Sequence, residues 1–171
     1  MDSLDRDALY RLDLFVKHVE TIISRLDNLQ LYLNTVKDRI HDDGLLDKFV
    51  EGLRMHKLYV TNLEKFLSGE LDWNPPSYTQ CNFGKLYYSI DKNYIEKTYG
   101  EAAAFMIKRI GDIHMSFHET AEECLKAQSV YEFKMLIIEL ASKSTFLVDN
   151  VFKLFKIISR DNNNISSRRY L

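Results

Sequence analysis

His56, Cys81, His114 and His118 are the side chains of this 171-residue chain whose types and spacing allow them to close around one metal ion. His114 and His118 are four residues apart, so both imidazoles leave the same face of a helix. His56 stands on a different apolar stripe, Leu53-His56-Val60-Leu63-Leu67. Cys81 comes after a proline-containing loop and opens the run Cys81-Asn82-Phe83-Gly84-Lys85-Leu86-Tyr87. At a helix start the thiolate, the metal-binding form, is favoured. One thiolate and three neutral imidazoles complete a tetrahedral Zn²⁺ site. Each residue also has a plainer reading, because a single histidine on an apolar stripe is usually a packed, hydrogen-bonded core residue. The metal reading is carried by the combination of three separate elements. His18 and His41 lie in the N-terminal stretch. Cys124, off the face of the histidine pair, reads as a small apolar core group.

The elements that must position these residues are helices. Leu9, Leu12, Val16, Val19, Ile23 and Leu26 step by three and four, as a coiled-coil seam does, and the pattern resumes at Leu29, Leu33, Val36 and Ile40. Residues 1–41 are therefore expected to form an N-terminal amphipathic arm. Asp42-Asp43-Gly44 marks a break, with an acidic residue placed to cap the next helix. A second helix is predicted over 45–67, an ordered loop over 71–79 with both prolines and Trp73, and a short helix from Cys81 to about Lys92. A long helix is predicted over 99–126, with Met106, Ile110, Phe117, Ala121 and Leu125 beside the histidine pair. The last begins near Val130 on the stripe Phe133, Ile137, Leu140, Ser144, Leu147, Val151, Leu154, Ile158. The expected architecture is all-α: a four-helix-bundle-like zinc-binding domain over 45–158, the N-terminal helix, and a frayed polar tail over 159–171.

Composition excludes several classes. Hydrophobic residues make up 46%, enough for a core, and only six glycines and two prolines interrupt the helical patterns. A net charge of −2 provides no basic field for nucleic acid or an anionic membrane. No apolar run approaches the roughly 20 residues needed to span a bilayer. The acidic start Met1-Asp2-Ser3-Leu4-Asp5 is unlike a signal peptide, so a cytoplasmic protein without a disulfide is expected.

The order of these motifs resembles a known family. His56-Lys57-Leu58-Tyr59, then Cys81-Asn82-Phe83-Gly84-Lys85, then His114-Met115-Ser116-Phe117-His118 is similar to the chemoreceptor zinc-binding (CZB) domain of bacteria. Met55, Tyr59 and Leu86 depart from residues common in the family, but none of the three is a ligand position. The resemblance implies a zinc-binding four-helix bundle that often dimerises. In the family, zinc occupancy, or oxidation of the zinc-bound cysteine by oxidants such as hypochlorous acid, changes the output of a chemoreceptor or a cyclic-di-GMP cyclase. No signalling hairpin or cyclase motif is present here, so the expectation is a standalone member with an added helical arm.

Enzymatic readings fit poorly. A zinc hydrolase needs an open coordination position and a general base. Here three histidines and a cysteine fill the site, and Met115 stands where a zincin places Glu. A di-iron bundle needs Glu-x-x-His pairs, but Phe15, Asp38, Leu53, Gly111 and Met115 precede the histidines by three. Two non-enzymatic readings remain: a sensory or regulatory zinc protein signalling to a chemotaxis or cyclic-di-GMP partner, and a structural zinc site in a helical dimerisation scaffold. The surplus of apolar seam predicts a homodimer, with the arm either pairing with another chain or folding back onto the bundle.

Overall fold

The computed structural model describes residues 3–36 and 44–168. Helices α1 (Ser3–Val36), α2 (Leu45–Leu67), α3 (Asn82–Tyr88), α4 (Lys92–Lys126) and α5 (Val130–Arg168) are its regular elements. The expected all-α bundle forms, and its four long helices are α1, α2, α4 and α5. Pairwise contacts give their directions. Arg11 lies over the Phe133 ring and Arg25 pairs with Asp149, so α1 and α5 run parallel. Phe49 meets Phe155 while His56 meets Ser144, so α2 runs against α5. Ala127–Ser129 is too short a connection for anything but an antiparallel α4–α5 hairpin, and Lys143 reaches back to Ser116 and Thr120 across it. Hence α2 and α4 point the same way, and the chain must travel back along the bundle between them. That crossover, residues 68–91, carries Trp73, both prolines, Cys81 and α3.

Phe15, Val19, Ile22, Leu26 and Leu29 of α1 are buried against α2 and α5 of the same chain. Val19, Leu26 and Leu29 belong to the expected seam. Phe15 and Ile22 join them because α1 faces two helices, and a groove between two helices needs a wider apolar face than a coiled-coil partner does. The stripe of α5 is buried from Ile137 to Ile158, with Phe133 only partly covered. On α4 the buried face leaves through Cys124 rather than Leu125, which is exposed.

Helix ends depart from expectation at three points. Gly44, at φ 75°, precedes α2 without a side-chain cap, and the acidic residues 42 and 43 lie outside the described residues, as does His41. Asp91 caps α4 by accepting from the Asn93 and Tyr94 amides. The helical path of α4 then breaks at Gly100 (φ 82°), near the expected helix start at Tyr99. The backbone of α5 stays helical to Arg168, past the tail expected from residue 159, because no Gly or Pro occurs after Val130 to stop it.

Candidate metal centre

The short α3 brings the sulfur to the bundle. Cys81 is its N-cap residue, and the Gly84 amide donates to Sγ at 3.1 Å. This turn requires glycine at 84: a Cβ there would stand 1.8 Å from the Tyr78 carbonyl oxygen. α3 also lies close against its neighbours. A Cβ at Gly111 of α4 would meet the Tyr87 hydroxyl at 2.2 Å, and one at Gly52 of α2 would meet the Phe83 ring at 2.9 Å. Close backbone approach at glycines therefore seats α3 against both α2 and α4.

Relative exposure is 2% for His56, 5% for Cys81, 1% for His114 and 2% for His118. All four line one cavity of about 140 Å³. Donor atoms of Cys81, His114 and His118 lie within 4.8 Å of one another, with Cys81 Sγ 3.2 Å from His114 Nε2. Around a tetrahedral zinc with ordinary bond lengths, sulfur and nitrogen donors are about 3.5 Å apart. The Cys81–His114 separation is close to that edge. His56 stands outside this three-residue set although it shares the cavity, and its Nε2 lies 3.0 Å from Ser144 Oγ on α5.

Burial keeps the imidazoles neutral, as metal ligands must be. Desolvation, then the neighbouring His118, lowers the His56 pKa to about 3. Desolvation, then His118 and His56, lowers His114 to about 2. Desolvation lowers His118 to about 4. The cysteine departs from the expectation of a favoured thiolate: burial pushes the Cys81 thiol up, and this outweighs the Gly84 and Phe83 amides that favour the anion. A seven-residue helix does not offset that desolvation even with the Lys85 charge acting in the same direction as the amides. Cys124 is pushed up to about 12 by burial and by Glu123 and Glu139, consistent with an inert core thiol.

Polar groups flank two of the rings. The Pro76 carbonyl lies beside His118 and partly opposes the lowering of its pKa by burial. Ser144 Oγ holds the His56 ring at Nε2 without fixing its tautomer, because a hydroxyl both donates and accepts. Phe117 packs edge-on against His56 and Tyr59 edge-on against His118, each with centroids 4.5 Å apart, while Phe83 lies 4.5 Å from His114. Trp73 backs Tyr59. The sequence pattern places Phe83, Tyr87 and Tyr88 in this apolar surround; Phe83 and Tyr87 are buried there, Tyr88 is exposed, and Tyr59, Trp73, Pro76 and Ser144 are missed. For Ser144 a signal exists, a lone hydroxyl in an otherwise apolar stripe. For Pro76 there is none, because its contribution is a backbone carbonyl. Exposed Gln80 and Asn82 in the cavity wall give an entry path from solvent.

One buried sulfur, neutral imidazoles and an apolar surround fit zinc. No helix among the described residues is long and apolar enough to cross a membrane. No curated protein and no solved structure matches the chain. Residues 56–125 match the model of the chemoreceptor zinc-binding domain, a zinc-binding regulatory rather than catalytic family. The donor set and this match together assign Zn²⁺ as the cofactor. The matched stretch, residues 56–125, contains every candidate ligand, and over it the chain is similar to the chemoreceptor zinc-binding domain.

Proposed function

We propose that this is a non-enzymatic zinc-binding regulatory protein of the cytoplasm. In this reading His56, Cys81, His114 and His118 hold one zinc ion, and the state of Cys81 alters helix packing. The observation carrying it is the buried Cys81, His114 and His118 cluster. His56 is the fourth ligand in this reading: its Nε2 is engaged with Ser144, so Nδ1 is the nitrogen left for metal. Bound zinc would lower the thiol pKa and tie the crossover to α2 and α4. Cys81 then exists as the thiolate, the form that two-electron oxidants convert to the sulfenic acid. A sulfur so oxidised binds metal more weakly, which releases α3, a helix too short to persist without tertiary contacts. A chemotaxis or cyclic-di-GMP protein would receive the displacement. The alternative is a permanent structural zinc site.

Homodimerisation belongs to the same proposal, although its surface differs from the seams expected from periodicity. Val19, Leu26 and Leu29 of the first seam, and the second seam from Ile137 to Ile158, are buried within the chain. Among the described side chains of α5, the exposed large apolar residues are Tyr131, Met135, Ile138 and Phe146, spaced to share a face. Ile138→Glu should convert a dimer to a monomer in light scattering, and a wild-type monomer at micromolar concentration would rule the dimer out.

Elemental analysis of protein purified without added metal should give one zinc per chain. Unchanged zinc content in the His114→Ala, His118→Ala double variant would remove the site. Limited oxidation and subsequent mass spectrometry should show Cys81 modified before Cys124, with release of zinc. Equal modification of both cysteines with zinc retained would leave the structural alternative.

A further inference from the structure

A second, much smaller cavity lies where the four long helices converge. Its volume is about 10 Å³, and its walls are largely apolar: Phe15 and Ile22 of α1, Val60 of α2, Phe117 of α4, Leu140 of α5. Two polar side chains also line it, His18 of α1 and Ser144 of α5. Ser144 is fully buried, and its hydroxyl is the partner of His56 Nε2. The Nε2 of His18 is buried and has no hydrogen-bond partner in the protein. A buried, unpartnered imidazole nitrogen is costly, and buried polar groups are normally satisfied by protein or by ordered water. The volume is about that of one water molecule, and an apolar cavity without polar groups would stay dry.

We infer that one ordered water binds in this cavity and bridges His18 Nε2 to Ser144 Oγ, which links α1 to the metal centre through His56. The link rests on the proposed role of His56 as a ligand. Its direction is set by the donor and acceptor capacity of each group. With Nδ1 committed to metal, His56 must carry its proton on Nε2 and donate to Ser144. The Ser144 hydroxyl has then accepted from His56 and donates its own proton to the water. The water in turn donates to His18 Nε2. Without metal, neutral His56 takes either tautomer, and with a bare Nε2 it accepts from Ser144, which reverses the hydroxyl and removes its donation to the water. The change of tautomer moves the His56 proton from Nε2 to Nδ1 by exchange with solvent, while along Ser144, the water and His18 only the donor and acceptor roles exchange. Ser144 is a positioning residue in this scheme, and α1, which lies outside the matched segment 56–125, is the helix that responds.

The test uses the full chain, zinc-loaded and after chelation, with the zinc content of each sample measured. Nitrogen-15 NMR of the histidine side chains should show the His18 Nε2 resonance shifting on zinc removal, and an exchange-protected water contacting His18. In Ser144→Ala, a substitution that preserves the backbone and nearly the volume, the His18 shift between the two states should disappear. A wild-type His18 resonance identical with and without zinc, in samples of confirmed zinc content, overturns the link while leaving the metal site standing. Failure to bind zinc at all instead overturns the proposed function. His18→Leu gives an independent check that does not disturb the ligands: amide exchange in α1 should lose its dependence on zinc. Retained dependence there also overturns the inference.

Discussion

Lowering the pH should destabilise the metal-free protein steeply, and the three buried histidines set the size of the effect. His56, His114 and His118 have folded pKa values of about 3, 2 and 4, all depressed from the ordinary 6.5 chiefly by burial. Between those values and 6.5 the unfolded chain binds more protons than the folded one. Stability is therefore at its full value above pH 6.5 and falls as the pH drops below it. At pH 7.5 the three sites contribute almost no penalty. At pH 5.5 each costs between about 1 and 2 kcal/mol, because the unfolded histidine is largely protonated and the folded one is not. Together they remove about 4 kcal/mol, a large share of the 5–15 kcal/mol that holds a typical domain. His18, also depressed by burial, adds in the same direction. Glu64, raised by burial and by Glu70, opposes it at more acidic pH. Urea unfolding monitored by helical circular dichroism at the two pH values measures the difference directly. Replacing His118 by Gln should flatten the dependence by about one third. A stability that changes by less than about 1 kcal/mol from pH 7.5 to 5.5 would refute the burial of neutral imidazoles on which the metal centre depends.

The packing sets three further outcomes. Gly84→Ala forces a Cβ to within 1.8 Å of the Tyr78 carbonyl, so it should cost about 3 kcal/mol or more and lower zinc retention; thermal unfolding and metal content unchanged from wild type would contradict the seating of α3. Leu29→Ala should cost about 2–5 kcal/mol in denaturant unfolding, since Leu29 is fully buried; a cost below about 1 kcal/mol would mean that α1 does not pack on α2 and α5 in solution. Lys143→Met should cost about 1–3 kcal/mol, because the ammonium donates to Thr120 and the Ser116 carbonyl across the α4–α5 interface while paired with Glu139 of its own helix, and its loss leaves the buried Thr120 hydroxyl without that partner. No measurable loss there would assign the interface to its apolar contacts alone.

Helix identity was legible in the chain because it rests on local periodicity. The stripe from Ile137 to Ile158, the span 45–67 of α2 and the break near Tyr99–Gly100 are repeats of three and four residues or single backbone breakers, readable without a partner. The candidate ligands were legible as types, since thiolate and imidazole at helical spacing have few other uses in combination. Tertiary structure decided whatever depends on which surfaces meet. It placed α1 in the groove of α2 and α5, where two neighbours draw in Phe15 and Ile22 beside the expected seam. It buried Cys81 deeply enough that desolvation overrides the amides at its helix start. It brought Cys81 to His114 and left His56 held by Ser144, eighty-eight residues away in sequence. Periodicity reports how a helix is sided, but not how far a crossover reaches or which hydroxyl a buried ring will find. Those depend on the satisfaction of polar groups in a closed core, which only the packed chain defines.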